Sequence, residues 1–130
     1  VHPSPRLQVI ATTAEGTRAA LVEARRLALG AEPIVLLVPH VTTLATLRKG
    51  PDHNARLVEG YRALARATGV EAIVRLCHCV SYSDVVRWML DRPSLIVIGG
   101  RRRRLWPTTA QRIVRAVQRA GHRVVFADVG

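Results

Sequence analysis

The sequence predicts one α/β domain organised around a parallel sheet. Three features point there. Short apolar runs alternate with amphipathic stretches along all 130 residues. Two of those runs, Ile34-Val35-Leu36-Leu37-Val38 and Leu95-Ile96-Val97-Ile98, carry no polar residue, as expected of strands covered on both faces. Glycine and proline punctuate the joints. The resulting order is βαβαβαβαβ, with helices on both faces and right-handed crossovers.

Leu7-Gln8-Val9-Ile10-Ala11 reads as the first strand, ended by Thr12-Thr13. From Thr17 to Leu29, the residues Ala20, Leu21, Ala24, Leu27 and Ala28 share one helical face, Arg18, Arg25 and Arg26 lie outside it, and Gly30 is the stop. The second strand runs from Pro33 through Val38. A polar stretch follows, in which Gly50-Pro51 is expected to interrupt regular structure. Asp52 is the expected cap of a second helix, with Leu57, Val58, Tyr61, Leu64, Ala65 and Thr68 inward and Gly69 closing it. Glu71 to Val80 forms the third strand. Ser81 and Asp84 make a capping box for a short helix carrying Val85, Trp88 and Met89, stopped by Pro93. The fourth strand then closes at Gly99-Gly100. Thr108 and Gln111 form a capping box for the last helix. Its inward face is Ala110, Ile113, Val114, Val117 and Ala120, and its outward face Arg112, Arg115, Gln118 and Arg119. Gly121 ends it, and Arg123 to Asp128 is the fifth strand.

At this length a chain can bury a core without disulfides or a structural metal, so residues 1–130 are expected as one domain with a flexible tail over 1–5. A composition of 48% hydrophobic and 22% charged residues argues against disorder. No apolar run approaches the roughly 18 residues that cross a bilayer, and no basic segment followed by an apolar one opens the chain. A cytoplasmic domain without membrane insertion is the expectation. The net charge is +11, and every cation except Lys49 is an arginine. Arginine presents a planar fork to phosphates and carboxylates and keeps its proton. Polyanions, nucleotides and acidic partners therefore suit this surface better than cationic ligands. Cys77 and Cys79 cannot build a disulfide framework and fit a reducing compartment. On a strand, Cys77-His78-Cys79 puts both sulfurs on one face and His78 on the other. With no second Cys/His pair at suitable spacing, the cysteines read as small buried hydrophobes and no metal is expected.

Ligands of open parallel sheets bind beyond the carboxyl ends of the strands, where strand order reverses. That places Thr12 to Gly16, His40 to Thr43, Val80 to Ser83 and Gly99 to Thr109 at the candidate site. In the last of these loops Gly99-Gly100 is expected to turn tightly. Arg101, Arg102, Arg103 and Arg104 supply cations, and Thr108-Thr109 opens a helix whose N-terminal amides favour an anion. A solvated arginine run without a ligand is the alternative. Trp106 stacks on a base or packs under the loop. Thr12 and Thr13 either bond a ligand or cap the first helix. His40 and Val41 lie beside the same cleft.

The whole pattern resembles the universal stress protein family. The segments that carry the likeness are Leu7 to Ala28, Ile34 to Val41, Leu95-Ile96-Val97-Ile98-Gly99-Gly100 and Ala120-Gly121-His122-Arg123-Val124-Val125-Phe126. The resemblance implies a Rossmann-like five-stranded sheet of order 3-2-1-4-5, and a homodimer joined through the last strand at Val124, Val125, Phe126 and Ala127. It also implies ATP or another nucleotide in the cleft between strands one and four. ATP-binding members carry an Asp after strand one and a Gly-x2-Gly-x9-Gly-Ser/Thr loop. Here Thr12 stands at the Asp position, Arg102 stands at the second glycine, and Thr108-Thr109 comes several residues early. Either arginine side chains hold the phosphates, or the site is degenerate.

No G-x-S-x-G elbow, Walker-type loop or G-x-G-x-x-G fingerprint occurs, and strand one ends in threonines rather than the acids of a phosphorylated receiver. No catalytic set emerges, so the chain is expected not to be an enzyme. Three readings remain open: a stress-type regulatory module binding a nucleotide or other phosphorylated small molecule, a ligand-free dimeric sensory domain, and non-specific nucleic-acid binding through the basic surface. The five aromatic residues form no stacking platform, which disfavours the last.

Overall fold

The two wholly apolar runs lie next to the centre of the sheet, where both faces are covered. The computed structural model describes residues 6–28, 33–41, 43, 48–79, 81, 94–103 and 107–129. In chain order these form β1 (Arg6–Ile10), α1 (Ala14–Leu27), β2 (Ile34–Val41), α2 (Gly50–Ala67), β3 (Ala72–Cys79), β4 (Ser94–Gly100), α3 (Thr109–Arg119) and β5 (Arg123–Asp128). All five strands are parallel, in the order β3-β2-β1-β4-β5. Gly30, Thr42, Val80, Arg104, Trp106, the tail over 1–5 and the helix expected around Val85, Trp88 and Met89 lie outside the described residues.

Alternation along the strands divides the core in two. Val9, Leu36, Val38 and Val97 point to the face where α1 contributes Ala20, Leu21 and Ala24 and α2 contributes Leu64 and Ala65. Ile10, Val35, Leu37, Ile96 and Ile98 point to the opposite face, against Ala110, Ile113 and Val117 of α3. Helices α2 and α3 both end in a left-handed glycine, Gly69 at φ 80° and Gly121 at φ 90°. In each case two amides turn back to orphan carbonyls, Gly69 to Arg66 and Val70 to Ala65, and Gly121 to Gln118 and His122 to Val117.

Five sequence expectations need correction. Gly99 and Gly100 do not turn the chain; both continue β4, in register with Ala127 and Asp128. Helix α1 begins at Ala14, three residues before Thr17, because Thr13 caps it: the Gly16 amide donates to Thr13 Oγ1 at 3.0 Å. Gly50-Pro51 does not interrupt structure but starts α2, since the missing proline N–H has no bond to make in a first turn. Asp52 is then a first-turn acid rather than the cap, a place where its charge meets the positive end of the helix dipole. Ala120, expected inward, is the exposed C-cap of α3.

The glycines of β4 instead let helices approach the sheet. A Cβ on Gly99 would collide with the Gly16 carbonyl and lie 3.1 Å from the Ala20 amide nitrogen; one on Gly100 would lie 2.5 Å from Ala110 Cβ. We expect Gly99→Ala to lower unfolding stability by about 2–3 kcal/mol, the scale of core overpacking. Gly60→Ala, in open space within α2, should raise stability by about 0.5–1 kcal/mol through helix propensity. Urea unfolding of both variants checks the contrast, and a neutral Gly99→Ala would contradict it.

Candidate functional site

Beyond Ile10 and Gly100 the chain leaves β1 and β4 for helices on opposite faces of the sheet, and a cleft opens between the two strands. Its volume is about 640 Å³. It is lined by the apolar residues Ala11, Pro39, Tyr61, Ala110 and Val129 and by Thr12, Thr13, Glu15, Gly100, Arg101, Arg103, Thr108 and Thr109.

The threonines that end β1 act on the backbone. Thr12 Oγ1 donates to the Gly99 carbonyl at 2.6 Å, and the Thr12 amide donates to buried Thr17 Oγ1 at 3.0 Å. With Thr13 capping α1, both residues fasten the start of the helix to the end of β4 while still lining the cleft. The acceptors that sequence reasoning offered to a ligand are thus partly engaged in structure.

The loop after β4 is fixed by α3. Thr108 Oγ1 donates to the Arg101 carbonyl at 2.8 Å and accepts from the Gln111 amide at 3.3 Å. Gln111 Oε1 accepts from the Thr108 amide at 2.8 Å and from the Arg103 amide at 3.0 Å, while its Nε2 donates to the Arg103 carbonyl at 3.2 Å. One glutamine therefore completes the capping box and ties down the arginine loop.

So held, the arginines diverge. Arg101 crosses to Glu15 on the first turn of α1, with Nη2 and Oε2 3.4 Å apart. Both side chains are more than half exposed, 51% and 62%, so the pair is worth at most about 1 kcal/mol and yields readily to a stronger anion. Arg102 leaves the cleft and lies over the Phe126 ring, 4.7 Å from its centroid. Arg103 lines the cleft. Of the residues singled out from sequence, Thr12, Thr13, Gly100, Arg101, Arg103, Thr108 and Thr109 meet here, whereas His40, Val41, Gly99 and Arg102 lie outside the lining. Pro39, Tyr61 and Val129 were not foreseen, and Glu15 lay in the candidate loop Thr12 to Gly16 without a role of its own. Glu15 was legible, since an acid two residues beyond Thr13 faces the cleft once α1 starts at Ala14.

His40 belongs to a different group. Register places it beside His78 on β3, with Nδ1 atoms 3.3 Å apart, and His53 on α2 approaches it with ring centroids 6.0 Å apart. Burial, and then the neighbouring His78, His53 and Lys49, hold the His40 pKa below the ordinary imidazole value. Cys77 and Cys79 alternate with His78 along β3; Cys79 is buried and Cys77 half-buried, and neither is in a disulfide.

No family model matches the sequence, and no curated protein matches it either. Solved structures do. The universal stress protein of Archaeoglobus fulgidus superposes with a TM-score of 0.65 at 19% identity, covering 93% of this chain and 92% of its own. A universal stress protein in complex with cAMP gives 0.60 at 16% identity, covering 98% of this chain and 100% of its own. The Archaeoglobus fulgidus protein in complex with dAMP gives 0.55 at 15% identity, covering 94% and 96%. The chain has the universal stress protein fold.

Removal of the Thr108 hydroxyl takes away the α3 cap and the bond to the Arg101 carbonyl together. Thr108→Ala is expected to cost about 1–2 kcal/mol in urea unfolding, and to accelerate amide exchange at Arg103. Unchanged stability would show that the capping box does not carry the loop.

Proposed function

We propose that this protein is a regulatory module of the universal stress type that binds a nucleotide phosphate in the cleft between β1 and β4. One observation carries the reading: Arg101 and Arg103 line the same cleft as the first residues of α3, Thr109 and Ala110, at the sheet's switch point, together with apolar residues. The helix end and the two guanidinium groups supply an anion site. Ala11, Pro39, Tyr61 and Val129 offer the base an apolar surface. Side-chain forks here take the part that a glycine-rich backbone cradle plays elsewhere. Two of the structural neighbours are complexes with mononucleotides, cAMP and dAMP, which supports a ligand of this size.

Binding would exchange the Arg101–Glu15 pair for Arg101–phosphate. The exposed pair contributes little and a charge-assisted bond to phosphate contributes more, about 1.5–3 kcal/mol. Ligand arrival would thereby free Glu15, on the first turn of α1, to accept a ribose hydroxyl. No catalytic step is assigned: the module binds and reports. It would act in the cytoplasm as a homodimer through β5, the strand at one edge of the sheet, with Val124 to Ala127 at the junction. Among the described residues no helix is long and apolar enough to cross a membrane.

The internal engagement of Arg101 by Glu15 and of Arg102 by Phe126 favours a second reading, a ligand-free dimeric module. Thermal-shift titration with AMP, ATP and pyrophosphate at low and high salt separates the two. The nucleotide reading expects saturable stabilisation by AMP or ATP that persists in salt and exceeds that of pyrophosphate. Equal effects from all three, lost in salt, would mean a bare charge patch. No shift would leave the ligand-free module.

Two variants refine the assignment. Arg101→Ala with Arg103→Ala should weaken nucleotide binding at least about tenfold, or ~1.4 kcal/mol. Glu15→Gln removes the competitor for Arg101 and should strengthen inorganic phosphate binding about two- to fivefold, within the range of an exposed ion pair. Weaker phosphate binding in Glu15→Gln would contradict the exchange.

A further inference from the structure

We propose that His40, His53 and His78 form a proton-sensitive latch, which holds the first turns of α2 against the sheet while the rings are neutral and releases them as the rings take up protons. The three rings come from separate elements and meet at the carboxyl ends of β2 and β3. His40 continues the row of Leu36 and Val38 on β2, and His78 the row of Val74 and Leu76 on β3, so both lie on the face that α2 covers. His53 is on the first turn of α2 itself. None of the three lines the nucleotide cleft, and the latch needs no ligand, so it stands independently of the nucleotide reading.

The neutral arrangement is self-consistent. His40 and His78 approach with their Nδ1 atoms 3.3 Å apart, and their rings meet edge to face with centroids 5.2 Å apart. A bond between two Nδ1 atoms needs one N–H and one lone pair, and a neutral imidazole supplies either. Two charged rings have no lone pair left. Full protonation therefore breaks the bond and sets two cations in contact. His53 adds a third ring, its centroid 6.0 Å from that of His40.

The force of protonation falls on α2. His40 is fixed within β2, whereas His53 and Lys49 belong to the start of the helix. Burial, then His78, His53 and Lys49, all oppose the charged form of His40. The positive end of the α2 dipole acts in the same sense. Asp52, the acid of that turn, is exposed to solvent, and Arg56 one turn on adds a cation. The start of α2 is also the part least able to resist. Lys49 makes no side-chain capping bond, and among the described residues the buried one of this helix is Ala65, near its other end. Tyr61, two turns on from His53 along the same face, lines the cleft, so the latch also bears on the cleft wall. Because the folded His40 pKa lies below that of an unfolded histidine, about 6.5, the stability that neutral His40 provides is complete above that value and is lost as pH falls through it.

Amide hydrogen exchange resolved by NMR at about pH 7.5 and about pH 5.5 tests the latch, with rates corrected for intrinsic exchange. The expected result is a fall of at least about threefold in the protection of residues 54–58 at the lower pH, larger than in β1 and β4. His40→Gln should remove that fall. Lys49→Gln keeps all three rings and should reduce it, while raising the pH at which the His40 ring titrates. Lys49 is exposed, so its variant carries little risk to the fold, and circular dichroism checks His40→Gln. Unchanged protection of α2, a fall shared equally by the central strands, a fall that persists in folded His40→Gln, or a change confined to the His78 ring would each overturn the proposal.

Discussion

The close approach of α1 to β4 is the contact on which the rest of the structure depends. Gly16 and Gly99 face each other with no room for a Cβ on either. Buried Thr17 and Thr12 bind the same corner, through the Thr12 amide and through the Thr12 hydroxyl to Gly99. Because α1 is held so tightly against the end of β4, its first turn overhangs the point where β1 and β4 part. Glu15 thereby comes within reach of Arg101. A side chain at either glycine would lift the helix and remove one wall of the cleft.

The opposite wall is built by a separate device. Gln111 and Thr108 use the first turn of α3 to grip the backbone at Arg101 and Arg103, and the Val129 amide donates a hydrogen bond to the Gly100 carbonyl at 3.0 Å. Backbone alternation then sends Arg101 and Arg102 to different places, one to an exposed acid and one to an aromatic ring. What looks in the sequence like a uniform basic run is a set of cations with distinct partners. This division favours a shaped anion site over a diffuse polyanion surface, because among the described residues of the run only Arg101 and Arg103 line the cleft.

Most of the fold was legible because it rests on short-range patterns. Ile34 to Val38 has no polar residue, Thr108 and Gln111 stand at capping-box spacing, and Gly69 and Gly121 fall where helices must stop. Each of these follows from local chemistry. Misreadings occurred where a residue type serves two purposes. Gly99-Gly100 has the composition of a turn, yet the lack of a Cβ is used for helix packing within a strand. Gly50-Pro51 has the composition of a break, yet a proline in a first turn starts a helix. The threonines after β1 presented a real choice, and Thr13 took the cap.

The site was less legible because its geometry depends on register and on side-chain direction. Pro39, Tyr61 and Val129 reach the cleft from three elements far apart in the chain. The histidines show the same limit: His40 and His78 are 38 residues apart, and only the β2–β3 register makes them neighbours.

The central claim is that the β1/β4 cleft, rather than the basic surface at large, receives the phosphate. Amide chemical-shift mapping by NMR during AMP titration at high salt tests it most directly. The account predicts saturable shifts confined to Thr12, Thr13, Gly100, Arg101, Arg103 and Thr109, with Arg112, Arg115 and Arg119 unmoved. Shifts spread over those outward arginines of α3, or absent from the cleft, would contradict it.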